Sequence, residues 1–83
     1  QQQKPYRDRL RKAERAMERV QRALQRLEEA LADESLYTDT ARKVELNRVL
    51  QEQASASKEL ALLESEWLDA SEALERWSQS AQG

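Results

Sequence analysis

Two long stretches of the chain repeat apolar residues in steps that alternate between three and four. In the first stretch these positions are Tyr6, Leu10, Ala13, Met17, Val20, Leu24, Leu27 and Leu31. In the second stretch the same spacing, interrupted by the polar Gln53, runs through Leu46, Val49, Gln53, Ala56, Leu60, Leu63, Trp67, Ala70, Leu74 and Trp77. We call both sets the seam, because this spacing is typical of the a and d positions at which coiled-coil helices meet. The pattern predicts an all-α fold, a two-helix antiparallel coiled-coil hairpin.

The gap between the two stretches predicts a turn. Asp39 lies near its end and is our favoured N-cap of the second helix, since a carboxylate accepts hydrogen bonds from free backbone N–H groups. Leu36 and Tyr37 are too apolar for a free loop, and we expect both to fold back over the end of the seam. The predicted boundaries of the single domain 1–83 are helix 1 at about 5–32, the turn at 33–39, helix 2 at about 40–77 and a frayed tail at 78–83.

The alignment of the two helices is predicted from the turn and the flanking charges. A short turn centred near residues 36–37 sets Leu10 against Leu63 and Met17 against Ala56, and residues beyond about 70 then overhang. The opposite charges that meet on the flanks are Glu28 with Lys43, Arg7 with Glu64 and Arg9 with Glu66. Exposed pairs contribute about a few tenths of a kcal/mol each, so they select an alignment more than they stabilise it.

The composition excludes several classes of site. The chain has no His and no Cys, and its single Gly is Gly83. The common catalytic triads, zinc sites and glycine-rich phosphate loops therefore have no residues from which to form. No apolar run approaches the roughly 18 residues of a membrane span. We expect a segment that is not an enzyme, holds no metal or cofactor, does not enter a membrane and forms a monomeric hairpin, with self-association into a bundle as an alternative.

Charge is divided unevenly between the two predicted helices. Residues 1–32 carry nine Lys or Arg and five acids, whereas residues 33–83 carry five and eleven. The cations of helix 1 concentrate on the side away from the seam, which we call the basic face. Its members are Lys4, Arg7, Arg11, Lys12, Arg15, Arg19, Arg22 and Arg26. Two interpretations stay open: a solvated exterior, or a surface that contacts nucleic-acid phosphates, for which the planar arginine fork is suited.

Several apolar residues of helix 2 suggest a different use of the chain. Leu62 and Leu68 lie off the seam, and Trp77 lies in the predicted overhang with little to pack against. These three residues are candidate protein-interaction sites. Gln53, the polar member of the seam, is interpreted as a residue that sets the alignment of the helices rather than as a ligand group.

The turn and helix 2 also resemble a known family, the C-terminal coiled-coil domain of the ABC-F ATPases. The matching residues are the run Leu31-Ala32-Asp33-Glu34-Ser35-Leu36-Tyr37, followed by Leu46, Leu50, Leu60, Glu64, Trp67 and Leu74. The similarity extends over about residues 6–77. Many family members carry arginine immediately before that tryptophan, whereas this chain carries Glu66.

The resemblance implies a parent protein with two tandem ATP-binding cassettes and no transmembrane domain. Such ATPases are cytoplasmic and act on the ribosome as translation factors, and in one bacterial branch the hairpin is associated with DNA binding. ATP and magnesium would then belong to the parent's cassettes and not to this segment. We expect the hairpin to dock the parent on ribosomal RNA or DNA through the basic face. The alternative is a protein-interaction or structural arm that packs on the parent's cassettes or on another protein.

Overall fold

The structure, a computed structural model, describes the backbone of residues 3–82 and the side chains of residues 4–80. The described chain is all-α and contains no strand. Its helices are α1 (Gln3–Leu31), the one-turn α2 (Ser35–Thr38) and α3 (Lys43–Gln82), with a 3-10 turn at Thr40–Arg42. The molecule is a rod that measures 65 × 15 × 14 Å. The all-α prediction is confirmed.

The seam is the covered face of both long helices. α1 packs along α3, and every seam position from Tyr6 to Leu31 and from Leu46 to Trp77 is buried or half-buried. The most deeply buried seam residues are Ala13, Val20, Val49 and Ala70. Gln53 is half-buried among its apolar neighbours. The alternating spacing therefore identified the packing faces of both helices along their whole length.

The alignment of α1 and α3 differs from the prediction. Met17, expected opposite Ala56, lines a concavity with Trp67, whereas Ala56 lines another with Ala23. Ala70, expected at the start of an overhang, is only 1% exposed. Helix α3 is therefore covered at residue 70, where the prediction left it without a partner helix.

The predicted flanking ion pairs are also wrong within residues 4–80. Neither Glu28 and Lys43 nor Arg7 and Glu64 form an ion pair, and Arg9 and Glu66 line one concavity without pairing. The turn takes up more chain than predicted, because α2 and the 3-10 turn together occupy residues 35–42. Exposed pairs worth about a few tenths of a kcal/mol each are too weak to hold the predicted alignment against a longer turn.

The two ends of α3 are set by different features. At the start, Asp39 Oδ1 accepts a hydrogen bond from the backbone N–H of Ala41 at 2.9 Å, so Asp39 is the cap, as favoured from the sequence. It caps the 3-10 turn, and α3 itself begins three residues after the predicted start. At the other end α3 continues to Gln82, beyond the predicted end near 77, since no Pro or Gly interrupts the chain before Gly83. Residue 83 of the expected frayed tail lies outside the described residues.

The turn between α1 and α3 contains a helix where a simple turn was expected. Within α2, Leu36 is 1% exposed and Tyr37 is 56% exposed. The expectation that both residues fold over the seam is confirmed for Leu36 and wrong for Tyr37. Successive residues on a helix point about 100° apart, so only one of the two can face the seam.

Arg42 connects the turn to the start of α3. Its guanidinium donates hydrogen bonds to Asp33 Oδ2 at 2.9 Å, to Ser35 Oγ at 2.6 Å and to both carboxylate oxygens of Glu45 at 3.0 and 3.1 Å. Asp33 Oδ1 in turn accepts from the backbone N–H of Ser35 at 3.0 Å. The hydrogen bond from Arg42 is the main reason that the pKa of Asp33 and the pKa of Glu45 both lie below their ordinary values.

These lowered pKa values predict that the free energy of unfolding depends on pH and that this dependence requires Arg42. A carboxyl group whose pKa is lower in the folded chain stabilises it above the unfolded pKa, and this contribution is lost as pH falls. The loss from Glu45 and Asp33 should begin as pH falls through their ordinary values of 4.5 and 3.8. Thermal unfolding of the native chain and of Arg42→Gln, followed by circular dichroism at pH 6 and pH 3, should show a smaller acid loss in the variant. Lys43→Gln is the control, and an equal acid loss in all three chains would contradict the prediction.

Candidate nucleic-acid interface

All eight members of the basic face lie on α1 with exposed side chains. The set is Lys4, Arg7, Arg11, Lys12, Arg15, Arg19, Arg22 and Arg26. A helix rises about 1.5 Å per residue, so the cations extend over about 33 Å. A DNA duplex presents phosphates every 3.4 Å along each strand, and this length corresponds to about ten such steps. α1 therefore presents a row of cations whose length suits a nucleic-acid backbone.

Most of these cations are not engaged by acids. Arg22 pairs with Glu18 at 4.0 Å, and both side chains are about two-thirds exposed or more. Within the described residues, the other seven members form no ion pair. The guanidinium and ammonium groups can therefore donate to phosphate oxygens without first breaking an internal salt bridge.

Helix α3 has the opposite character. Its heptad-spaced acids Glu52, Glu59 and Glu66 are exposed, and Glu52 pairs with Arg48 at 3.0 Å on the same helix. A row of carboxylates repels phosphates, so a nucleic acid would contact α1 and avoid this side of α3. The uneven charge seen in the sequence is therefore also a separation of charge between the two long helices.

The candidate protein-interaction residues do not form one patch. Leu62 is 60% exposed and Leu68 is 50% exposed, whereas Trp77 is half-buried. Six residues along a helix correspond to about 120° around its axis, which separates Leu62 from Leu68. Leu68 lines a concavity of about 410 Å³ with Met17 and Trp67.

Three apolar residues outside the candidate protein-interaction set are also exposed. Val44 is 82% exposed, Tyr37 56% and Leu50 43%. Val44 and Tyr37 both lie close to the turn, at the end of the rod. The off-seam position of Val44 was the available signal, since an apolar residue outside the seam has no helix to cover it.

The described chain contains no group of three or more acidic, His or Cys side chains placed to hold a metal ion. No described helix is long and apolar enough to cross a membrane. Comparison with protein-family models, with curated proteins and with solved structures found no match.

Proposed function

We propose that the chain is an antiparallel two-helix coiled-coil hairpin that docks an ABC-F type ATPase on nucleic acid. In this proposal the segment is not an enzyme and holds no cofactor, and ATP and magnesium serve the parent's cassettes. The partner is ribosomal RNA or DNA, reached through the basic face, and the setting is the cytoplasm and the ribosome. The observation that carries the proposal is the exposure of all eight cations, seven of them without an ion pair among the described residues.

The antiparallel arrangement is supported by residues that share concavities between the helices. Ala13, in the first half of α1, lines a concavity with Glu66 in the second half of α3. Ala30, at the end of α1, lines another with Glu45 near the start of α3. The short connection of residues 32–42 also favours a reversal of direction between the two helices. Origin from an ABC-F protein depends on the resemblance of residues 31–37 and of the Leu and Trp positions of helix 2.

The second candidate function is a protein-interaction or structural arm. The exposure of Leu62 and Leu68 favours it, because covering apolar side chains of this size with a partner removes apolar surface from water and stabilises the complex. Trp77 is a weaker candidate, since the rod already covers half of it. Binding of this kind would change little with salt, whereas binding through the basic face would be strongly salt-dependent.

Binding of the 83-residue chain to duplex DNA and to structured RNA between 50 and 200 mM salt tests the first proposal. If about six cations contact phosphates, log K should fall with log salt with a slope of about −5 on B-DNA. This slope corresponds to a loss of about 10³ in affinity over that range. The triple variant Arg15→Gln, Arg19→Gln, Arg22→Gln should reduce the slope by about 2.7, because three phosphate contacts are lost.

The matched control removes the same charge from the other helix. Lys43, Lys58 and Arg76 are exposed cations of α3, and their joint replacement by Gln should leave the slope nearly unchanged. An equal effect of the two triple variants would show that only net charge matters and would refute a docking face on α1. Absence of binding at 50 mM salt would refute nucleic-acid docking and favour the protein-interaction arm.

A further inference from the structure

One side of the rod carries a groove between α1 and α3. Two concavities of about 440 and 380 Å³ follow one another along it. Their floor is made of small side chains of α1, Ala16, Ala23 and Ala30, beside seam residues of both helices. These alanines recur every seven residues and are only half-buried in the single chain. We call this feature the alanine groove.

The two walls of the alanine groove carry opposite charges. The α1 wall carries Lys12, Arg19 and Arg26, and the α3 wall carries Glu52, Glu59 and Glu66, each set with a spacing of seven residues. Arg9 of α1 and Glu45 and Arg48 of α3 also line the two concavities. Lys12 and Glu66 line one concavity, and Arg26 lines the other with Glu52 and Glu59. Arg19 lines neither concavity and is assigned to the α1 wall only because it lies seven residues from both Lys12 and Arg26.

The walls do not neutralise each other within one chain. Among the described residues, no ion pair joins α1 to α3. Glu52 pairs with Arg48 on its own helix, and Glu59 and Glu66 form no ion pair with any side chain of residues 4–80. A floor of alanine lies between walls of opposite charge that form no ion pair with each other among the described residues. Such a groove suits a second pair of helices whose cations face the α3 wall and whose acids face the α1 wall.

We propose that the alanine groove is the interface between two copies of this chain. A two-fold axis parallel to the helices would place α1 of each copy over α3 of the other, so that neighbouring helices are antiparallel throughout, as in a four-helix bundle. Rotation about such an axis does not move a residue along the rod, so each residue of one copy lies level with the same residue of the other copy. Lys12, Arg19 and Arg26 of one copy then face Glu66, Glu59 and Glu52 of the second copy.

The surface of the single chain is large enough for this interface. The chain exposes 6532 Å², whereas a compact monomer of its mass, 9.7 kDa, would expose about 5,100 Å². One side of a rod of 65 × 15 Å offers roughly 900 Å² per copy, or about 1,800 Å² in total. Stable specific interfaces bury about 1,200–2,000 Å² in total.

The proposed dimer differs from the monomer expected from the sequence and is independent of nucleic-acid docking. It uses three cations of the basic face, and the other five, including Arg11, Arg15 and Arg22, lie away from the groove. The two proposals can therefore fail separately, provided that self-association is measured without nucleic acid.

Sedimentation equilibrium of the 83-residue chain between about 5 and 500 μM tests the dimer. We expect the mass to rise from 9.7 kDa towards twice that value as concentration increases. The double variant Glu59→Lys, Glu66→Lys and the double variant Lys12→Glu, Arg19→Glu should each raise the dissociation constant roughly tenfold or more, because like charges then face each other. A 1:1 mixture of the two variants should form a heterodimer of nearly native affinity, since both sets of facing charges are again opposite.

The control variant is Glu64→Lys, Glu72→Lys, which makes the same charge change at exposed positions of α3 that line neither concavity of the groove. It should dimerise as the native chain does, and circular dichroism should show equal helix content in all variants. A native mass that stays at 9.7 kDa at 500 μM would overturn the proposal. An equal loss of dimer in the control, or a mixture that fails to recover it, would also overturn it.

Discussion

Replacement of Leu36 by Ala is expected to lower the free energy of unfolding by about 2–5 kcal/mol. Leu36 is the most deeply covered large side chain, 1% exposed, and it lines the end of the seam beside Leu46. Its truncation removes apolar contacts and leaves a cavity where the turn meets both long helices. Urea unfolding followed by circular dichroism at 222 nm measures the difference directly.

The matched control is Leu68→Ala, the same change at a side chain that is 50% exposed. Its cost should be under about 1 kcal/mol, because roughly half of the side chain is already in water. Equal costs for the two variants would mean that Leu36 does not anchor the turn.

Replacement of Ala70 by Asp is expected to lower the free energy of unfolding by about 3 kcal/mol or more. Ala70 is 1% exposed and lies on the seam of α3. A carboxylate at this position must lose its hydration or force α1 and α3 apart, and a buried charge without a partner is strongly destabilising. The same urea titration measures the loss.

Ala61→Asp supplies the control for Ala70→Asp. Ala61 is exposed on the same helix, so the substitution should cost only the difference in helix propensity, about 0.7 kcal/mol or less. The pair also tests the alignment of the helices. If α3 overhung from residue 70 onward, as the sequence alone suggested, the two substitutions would have similar costs.

The seam was predictable because burial in a two-helix rod depends on a single periodicity. Steps of three and four residues place Leu10, Val20 or Leu63 on one face whatever the alignment, so the covered face follows from the sequence directly. The exposure of the basic face follows by the same argument, because those cations lie away from the seam. Whether a nucleic acid uses the basic face is a property of a complex and has no signature in the periodicity.

The alignment and the turn were not predictable in this way. Sliding α3 by one heptad leaves every seam residue on the seam, so the choice depends on which side chains of the two helices fit each other, such as Met17 and Trp67, which line one concavity. The network of Arg42 with Asp33 joins residues nine positions apart across an irregular segment. No sequence period relates such residues, and neither α2 nor this network could be derived from helix or coiled-coil rules.

The turn of Leu36 and Arg42 has a consequence for how the chain reaches its fold. Residues next to the turn are separated by few positions along the chain, and closing a short loop costs less conformational entropy than closing a long one. Once α1 and α3 are in contact next to the turn, each further pair of seam residues has to close only a small additional loop of a few residues. We expect folding of such a rod to proceed as a zipper from this end, because mostly local contacts favour fast kinetics. The far end of the rod, where Tyr6 and Trp77 lie, is then the last part to form and the first to open.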